Sequence, residues 1–201
     1  SRADDANKYF MVSTDCHANE PPDLWEKRID AKYRDRVPRI ITDDKGVQWR
    51  YCEGYRPDRV RVMSFEGEDW VRSKAGADPL DRLKDNQADG IDVEIIFPNK
   101  GLAMWATPDP VFANAQCAVW NDWAWEQFGP HQDTMVPVAS IATGDLEGAM
   151  AEIERVAKMG FRVLSMPCKP IWGGHDVDHV NYNLPHFDPM WALIGEVGMP
   201  F

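Results

Sequence analysis

Apolar residues along this chain come in two rhythms that take turns. Short continuous apolar runs occupy residues 9–14, 93–98 (VEIIFP), 135–141 (MVPVASI) and 161–167 (FRVLSMP), and runs of this length rich in β-branched side chains read as buried strands. Between and after them, residues 79–89, 109–128, 145–158 and 188–197 carry helical patterns; in the third, Leu146, Met150, Ile153 and Val156 fall on one face. Strands apolar on both faces that alternate with helices belong in a parallel sheet covered by those helices.

Turn chemistry sharpens the boundaries. Thr107-Pro108-Asp109-Pro110 and Gly144-Asp145 offer helix starts, because proline presets the backbone angle and a carboxylate favours the positive end of a helix. Gly90 and Gly160 offer stops, and Gly195 and Gly198 punctuate the last helix. One segment breaks the alternation. Residues 37–42 and 47–52 are short runs around Asp43-Asp44-Lys45-Gly46, a good hairpin turn. We therefore expect an insertion over residues 30–75 that carries a β-hairpin, placed after strand 1, covering one end of a barrel and open to a second role as a lid or subunit contact.

Four βα units and the beginning of a fifth, at residues 195–201, are about half of what a (β/α)8 barrel of about 250 residues requires. The expected fold class is α/β: residues 1–201 form the N-terminal part of a single distorted TIM (β/α)8 barrel domain. Four strands in an open doubly wound sheet are the alternative.

Composition narrows the partners. Among 201 residues, a hydrophobic fraction of 44% and nine tryptophans specify a folded core rather than a disordered chain. A formal net charge of −11 repels a phosphate backbone, with Arg56, Arg59 and Arg61 the nearest thing to a basic cluster, so nucleic acid is not an expected partner. No apolar stretch is long enough to cross a bilayer, and residues 1–8 lack the apolar core of a signal peptide. Cys16, Cys52, Cys117 and Cys168 lie far apart with no C-x-x-C spacing, which reads as reduced thiols in a cytoplasmic protein.

The candidate chemistry starts at Asp15-Cys16-His17, which closes the first apolar run. On an extended strand Asp15 and His17 share one face and Cys16 takes the other. A carboxylate oxygen and an imidazole nitrogen on one inward face are half of a divalent-metal site; a capping Asp beside a solvated His is the alternative. Glu20 reads as a group bonding near the Pro21-Pro22 turn or capping the next helix, with contact to the substrate as the lesser alternative. Asn99 and Lys100 follow the second parallel strand at the end where TIM-barrel sites lie. They are substrate contacts on one reading, a turn Asn and a solvated Lys on the other. Trp105 in the same loop is a pocket candidate, whereas Trp120 and Trp123 at helical spacing are core. In the loop after the fourth parallel strand His175 is the chosen substrate contact, and Asp178 and His179 read as surface.

Three blocks carry a resemblance. V-S-T-D-C-H-A-N-E-P-P-D-L-W, K-A-G-A-D-P-L-D-R-L-K-D-N-Q-A-D-G-I-D-V-E-I-I-F-P-N, and G-F-R-V-L-S-M-P followed by Y-N-L-P-H-F-D-P-M-W-A-L-I-G-E-V-G-M-P run in this order from Val12 to the last residue. Together they resemble the amidohydrolase-related metal-dependent hydrolases, the group that includes the aminocarboxymuconate semialdehyde decarboxylase and resorcylate decarboxylase types. The resemblance implies a distorted TIM barrel with one divalent metal ion, zinc first, with manganese or iron as alternatives. Its ligands would be Asp15 and His17, joined by a His after the fifth strand and an Asp after the eighth, both expected beyond Phe201 along with the catalytic residue. Many members have His at the first position, so Asp15 either ligates or leaves that place to water.

The same resemblance implies a hydrolase that uses a metal-activated water on an amide, ester, lactone or related C–N or C–O bond of a small molecule. Metal-dependent non-oxidative decarboxylation of an aromatic or unsaturated acid is the second reading, and an inactive fragment or binding module the third. A homodimer is the implied assembly.

Overall fold

The structure, a computed structural model, describes residues 9–60, 67–68, 78–171 and 181–201. In chain order the elements are β1 (Val12–Ala18), α1 (Leu24–Arg28), β2 (Arg39–Thr42), β3 (Gln48–Tyr51), β4 (Asp58–Arg59), α2 (Pro79–Asp89), β5 (Val93–Pro98), α3 (Pro110–Phe128), β6 (Met135–Ser140), α4 (Leu146–Met159), β7 (Val163–Ser165) and α5 (Asp188–Val197). The main sheet has the order β1-β5-β6-β7, with every pair parallel. Each parallel strand lies beside the one before it, with no reversal of direction across the sheet. A doubly wound sheet requires such a reversal, so the arrangement is the singly wound one of a barrel, and about half of its eight strands are here.

The two faces of the sheet differ. Along β5, Glu94, Ile96 and Pro98 are buried toward the helices while Val93, Ile95 and Phe97 are half-buried on the inner face. β6 is buried throughout. Helix α3 fills the space behind these strands, and Phe112, Cys117, Trp120, Ala124 and Phe128 are fully buried. It is buried on nearly all sides, because it touches β6, α1 and α4 at once. Trp120 Nε1 donates to the Val138 carbonyl at 3.0 Å, and the Asn121 amide takes both the N–H (2.7 Å) and the carbonyl (3.0 Å) of Ser140. A second cluster joins Ile153 and Val156 of α4, Leu164 of β7 and Met190 and Ile194 of α5.

The helix starts follow the turn chemistry. Asp109 accepts from the N–H groups of Val111 and Phe112, and Asp145 from that of Gly148. Gly160 ends α4 at φ 107°, a left-handed angle that favours glycine.

Two boundaries differ from the sequence expectation. The first strand runs Val12–Ala18 rather than over residues 9–14, so Asp15 and His17 lie inside it. Pairing with β5 carries the strand through this polar stretch, His17 opposite Phe97 and Ala18 opposite Pro98, while Tyr9 and Phe10 stay exposed. The register shifts between Ser13 and Cys16. That bulge breaks the simple alternation, so that Ser13 Oγ meets Cys16 Sγ, three residues on, at 3.0 Å. The fourth parallel strand is also short, because residues 161 and 162 only lead into Val163–Ser165.

The expected hairpin forms as β2 and β3, with Arg39 opposite Tyr51 and Thr42 opposite Gln48, and β4 adds a third strand that the pattern did not predict. Asp43 fixes the turn by accepting from the Lys45 and Val47 N–H groups and from Trp49 Nε1. This small layer is bolted to the main fold. Arg36 donates to both carboxylate oxygens of Glu53 (2.8 and 2.6 Å) and to Asp109 (2.9 Å), and its guanidinium lies 4.2 Å from the Phe112 ring centroid. Gly54, at φ 84°, packs so closely that a Cβ there would sit 1.8 Å from the Ala106 carbonyl oxygen. All four cysteines are unpaired. Among the described residues no helix is long and apolar enough to cross a membrane.

Candidate functional site

Asp15 and His17 meet at the C-terminal end of β1. His17 Nδ1 lies 2.7 Å from the Pro98 carbonyl, and His17 Nε2 lies 3.2 Å from Asp15 Oδ1. A carbonyl has no hydrogen to give, so Nδ1 is the donor, and in the neutral ring Nε2 then turns a lone pair toward a carboxylate. Two acceptors this close call for a proton or a cation between them. Two ligands bound at about 2.0–2.2 Å on one divalent ion stand roughly 3–3.5 Å apart, and an imidazole whose other nitrogen donates to a backbone carbonyl is the usual way a metal-binding His is oriented. The donor set therefore fits a divalent ion. Asp15 is 86% exposed at its side chain and His17 38%, which leaves both open to a further ligand. Among the described residues, no group of three or more His, Cys, Asp or Glu converges on a metal site.

Glu20 has a different place from either structural expectation. Its buried carboxylate accepts the backbone N–H groups of Asn99 (3.0 Å), Lys100 (2.9 Å) and Gly101 (2.9 Å), so it caps the single turn that follows β5, not α1. The start of α1, at Asp23, has no side-chain cap. Glu20 thereby ties the loop after β1 to the loop after β5 at the end of the sheet where His17 sits.

Asn99 and Lys100 are both at this end. Asn99 Nδ2 donates to Asn19 Oδ1 at 2.5 Å, and Lys100 Nζ donates to the Glu20 carbonyl at 2.6 Å. With Leu102 and Ala103 they form one wall of a cleft of about 510 Å³, whose other wall is Arg50, Cys52, Tyr55, Arg56 and Asp58 of the three-stranded layer. Its lining carries three cations, Arg50, Arg56 and Lys100, and one carboxylate, Asp58. Burial pulls the Lys100 pKa below its ordinary value; the Glu20 charge opposes this and Arg50 adds to it.

Trp105 does not line this cleft. It packs against the α3 core and borders a separate cavity of about 10 Å³ with Thr107, Ala113 and Pro167. Trp120 and Trp123 are buried core. His175, Asp178 and His179 lie outside the described residues. Arg50, Tyr55 and Asp58 are lining residues that the sequence reading passed over. Strand alternation puts Arg50 and Cys52 on one face of the β3 edge, but nothing in the pattern says which loop that face meets.

Solved structures with this fold place the half-barrel. A crystal structure described as an amidohydrolase from Mycobacterium avium subsp. paratuberculosis overlays with a TM-score of 0.77 at 18% identity, over 97% of this chain and 57% of that one. A dihydroxybenzoic acid decarboxylase from Polaromonas, solved with bound manganese and the inhibitor 2-nitroresorcinol, overlays at 0.58 and 17% identity over 96% and 48%. A 5-carboxyvanillate decarboxylase from Sphingomonas paucimobilis gives 0.55 at 16% over 96% and 50%. The chain thus spans roughly half the length of these proteins, and the likeness is one of fold. A search of curated proteins gives no match. The sequence model of the amidohydrolases matches residues 14–201, a span that begins beside Asp15 and takes in every parallel strand but the first two residues of β1: the chain belongs to the amidohydrolase family.

Proposed function

We propose that this chain is the N-terminal half of one barrel domain, with the 30–75 insertion roofing the site, in a metal-dependent enzyme that acts on a small carboxylated molecule. Asp15 and His17 hold one divalent ion, and the ion supplies Lewis acidity toward a substrate oxygen. Manganese, zinc and iron all suit an oxygen and a nitrogen donor. His17 is kept in the metal-binding tautomer by Pro98.

The observation that carries the reading is the cleft. Arg50 and Arg56 line one wall of it and Lys100 the other, and Lys100 follows the strand whose Pro98 carbonyl holds His17, although His17 is not itself among the lining residues. Such a cluster holds a carboxylate by charge and by paired hydrogen bonds from the guanidinium groups. Lys100, half-buried and poor in solvating water, gains from any anion that enters. The chemistry favoured by this cluster is non-oxidative decarboxylation of an aromatic acid, in which the carbon–carboxylate bond breaks, carbon dioxide leaves and a proton takes its place on carbon. Structures of decarboxylases acting on such acids share the fold, which supports the same reading. Hydrolysis of an amide, ester or lactone is the second reading, favoured by the higher overlay with the protein described as an amidohydrolase. Four unpaired cysteines support a reducing, cytoplasmic location, and a homodimer rests on the family resemblance alone.

The test uses the full-length protein. Metal analysis is expected to find about one manganese, zinc or iron per chain. Carbon dioxide release from a panel of hydroxylated benzoates supports the favoured chemistry, and proton release from esters, amides or lactones without carbon dioxide transfers it to hydrolysis. Protein that takes up no divalent ion overturns both.

A further inference from the structure

Between α2 and β5 two charged residues lie nearly buried. Glu94 is the second residue of the VEIIFP strand and is 2% exposed at its side chain; Arg82 on α2 is 12% exposed. Arg82 Nε and Nη2 donate to Glu94 Oε1 and Oε2 at 2.8 and 2.7 Å, and Arg82 Nη1 donates to the backbone carbonyl of His17 at 3.0 Å. A buried ion pair of this kind is poor evidence for stability, since well-packed apolar residues of like volume do as well or better. Arg82 also stands near the N-terminus of its helix, the end where a cation is least favoured. What the pair does that an apolar pair cannot is hold out a third N–H to His17.

We infer that Arg82 is a positioning residue for His17. The β1 ladder is broken by the bulge between Ser13 and Cys16, which takes in Asp15 and ends just before His17. A strand that slips by one residue turns every side chain to the opposite face, so the residues after the bulge need an independent anchor. His17 has two, and both lead to β5. Its ring donates to the Pro98 carbonyl, and its own carbonyl is bound by Arg82, which is gripped in two places by Glu94. The backbone of His17 is thereby set at one height against β5, and the imidazole is held against the Pro98 carbonyl. Cys16, next to the anchored His17, turns toward the same buried pair, with Glu94 among the groups acting on its thiol.

The inference rests on the metal reading for its consequence, though not for its geometry, and the experiment separates the two. In the full-length protein Arg82→Met with Glu94→Leu replaces the pair by apolar side chains, which keeps the core filled. Imidazole NMR of metal-free wild type is expected to show His17 as a single Nδ1–H tautomer; the double variant should show mixed tautomers and a lost Nδ1–H signal. Manganese affinity, titrated on both, should fall by about 10- to 100-fold, the usual effect of removing support behind a metal ligand. A wild-type imidazole spectrum in the variant, or undiminished manganese affinity, overturns the inference. Wild-type protein that binds no manganese while the variant's His17 spectrum changes would sink the metal reading and leave the positioning role standing. Should the double variant fail to fold, Arg82→Lys carries the same test, because an ammonium cannot grip Glu94 bidentately and still reach the carbonyl. An unaltered His17 spectrum in Arg82→Lys overturns the inference.

Discussion

Glu20 and Lys100 hold each other twice: the Glu20 carboxylate accepts the Lys100 backbone N–H at 2.9 Å, and the Glu20 carbonyl accepts the Lys100 ammonium at 2.6 Å. The loop after β1 is thus fixed to the loop after β5, which forms one wall of the cleft. A lysine whose head is bound to a backbone carbonyl has a fixed place, and its charge is delivered to the cleft wall.

Glu20→Ala leaves three backbone N–H groups at residues 99–101 without their acceptor in a buried place. The expected loss is about 2–4 kcal/mol of unfolding free energy, read by urea denaturation. Glu20→Gln keeps one acceptor oxygen and should lose less. Equal stability of wild type and Glu20→Ala would show that this clamp contributes nothing.

Gly54→Ala puts a methyl 1.8 Å from the Ala106 oxygen and forces a left-handed angle on alanine. The three-stranded layer must shift, at a cost of about 2 kcal/mol or more. Because that layer carries Arg50 and Arg56, affinity for an aromatic carboxylate, measured by calorimetry, should fall with stability. Binding at wild-type strength would detach the layer from the site.

Arg36 gives a pH signature. Its guanidinium beside Glu53 holds that carboxyl below the ordinary value of 4.5, against the opposing effect of burial. The folded state then takes up a proton less readily than the unfolded one, so the stabilisation is present above about pH 4.5 and is lost as pH falls through the lower folded value. Arg36→Met should be less stable at pH 7 and should lose less on acidification, so the gap to wild type narrows toward pH 3. A gap that stays constant with pH would remove Glu53 from the account.

Asp15→Ala and His17→Ala change exposed side chains and should shift stability by no more than about 1 kcal/mol. Both should lose bound metal and activity together, and chelation of wild type should reproduce the loss, with recovery on adding manganese back. Retained metal in both variants would remove the pair from the site.

Much of this was legible before any coordinates. β5 and the helices Pro79–Asp89 and Asp188–Val197 fall where the apolar periods put them, because a strand buried on both faces and a helix with a preset proline each leave a local mark. The hairpin turn was legible for the same reason, since Asp43 satisfies its own neighbours. The end of β1 was not. The apolar run stops at residue 14, so the pattern put Asp15 and His17 at the strand's end, and only parallel pairing with β5 carries the strand on to Ala18.

The sequence by itself determined the alternation of strand and helix, the caps that bound them and the presence of an oxygen and a nitrogen donor two positions apart. Tertiary structure alone decided that the sheet is singly wound, that Glu20 serves the loop after β5, that Arg50 and Arg56 come to line one cleft with Lys100, and that Arg82 bonds the His17 carbonyl. The reason is range. Periodicity and capping are written in neighbours a few residues apart, whereas each of the latter contacts joins residues tens of positions apart, and no local pattern records which distant surface a side chain will meet.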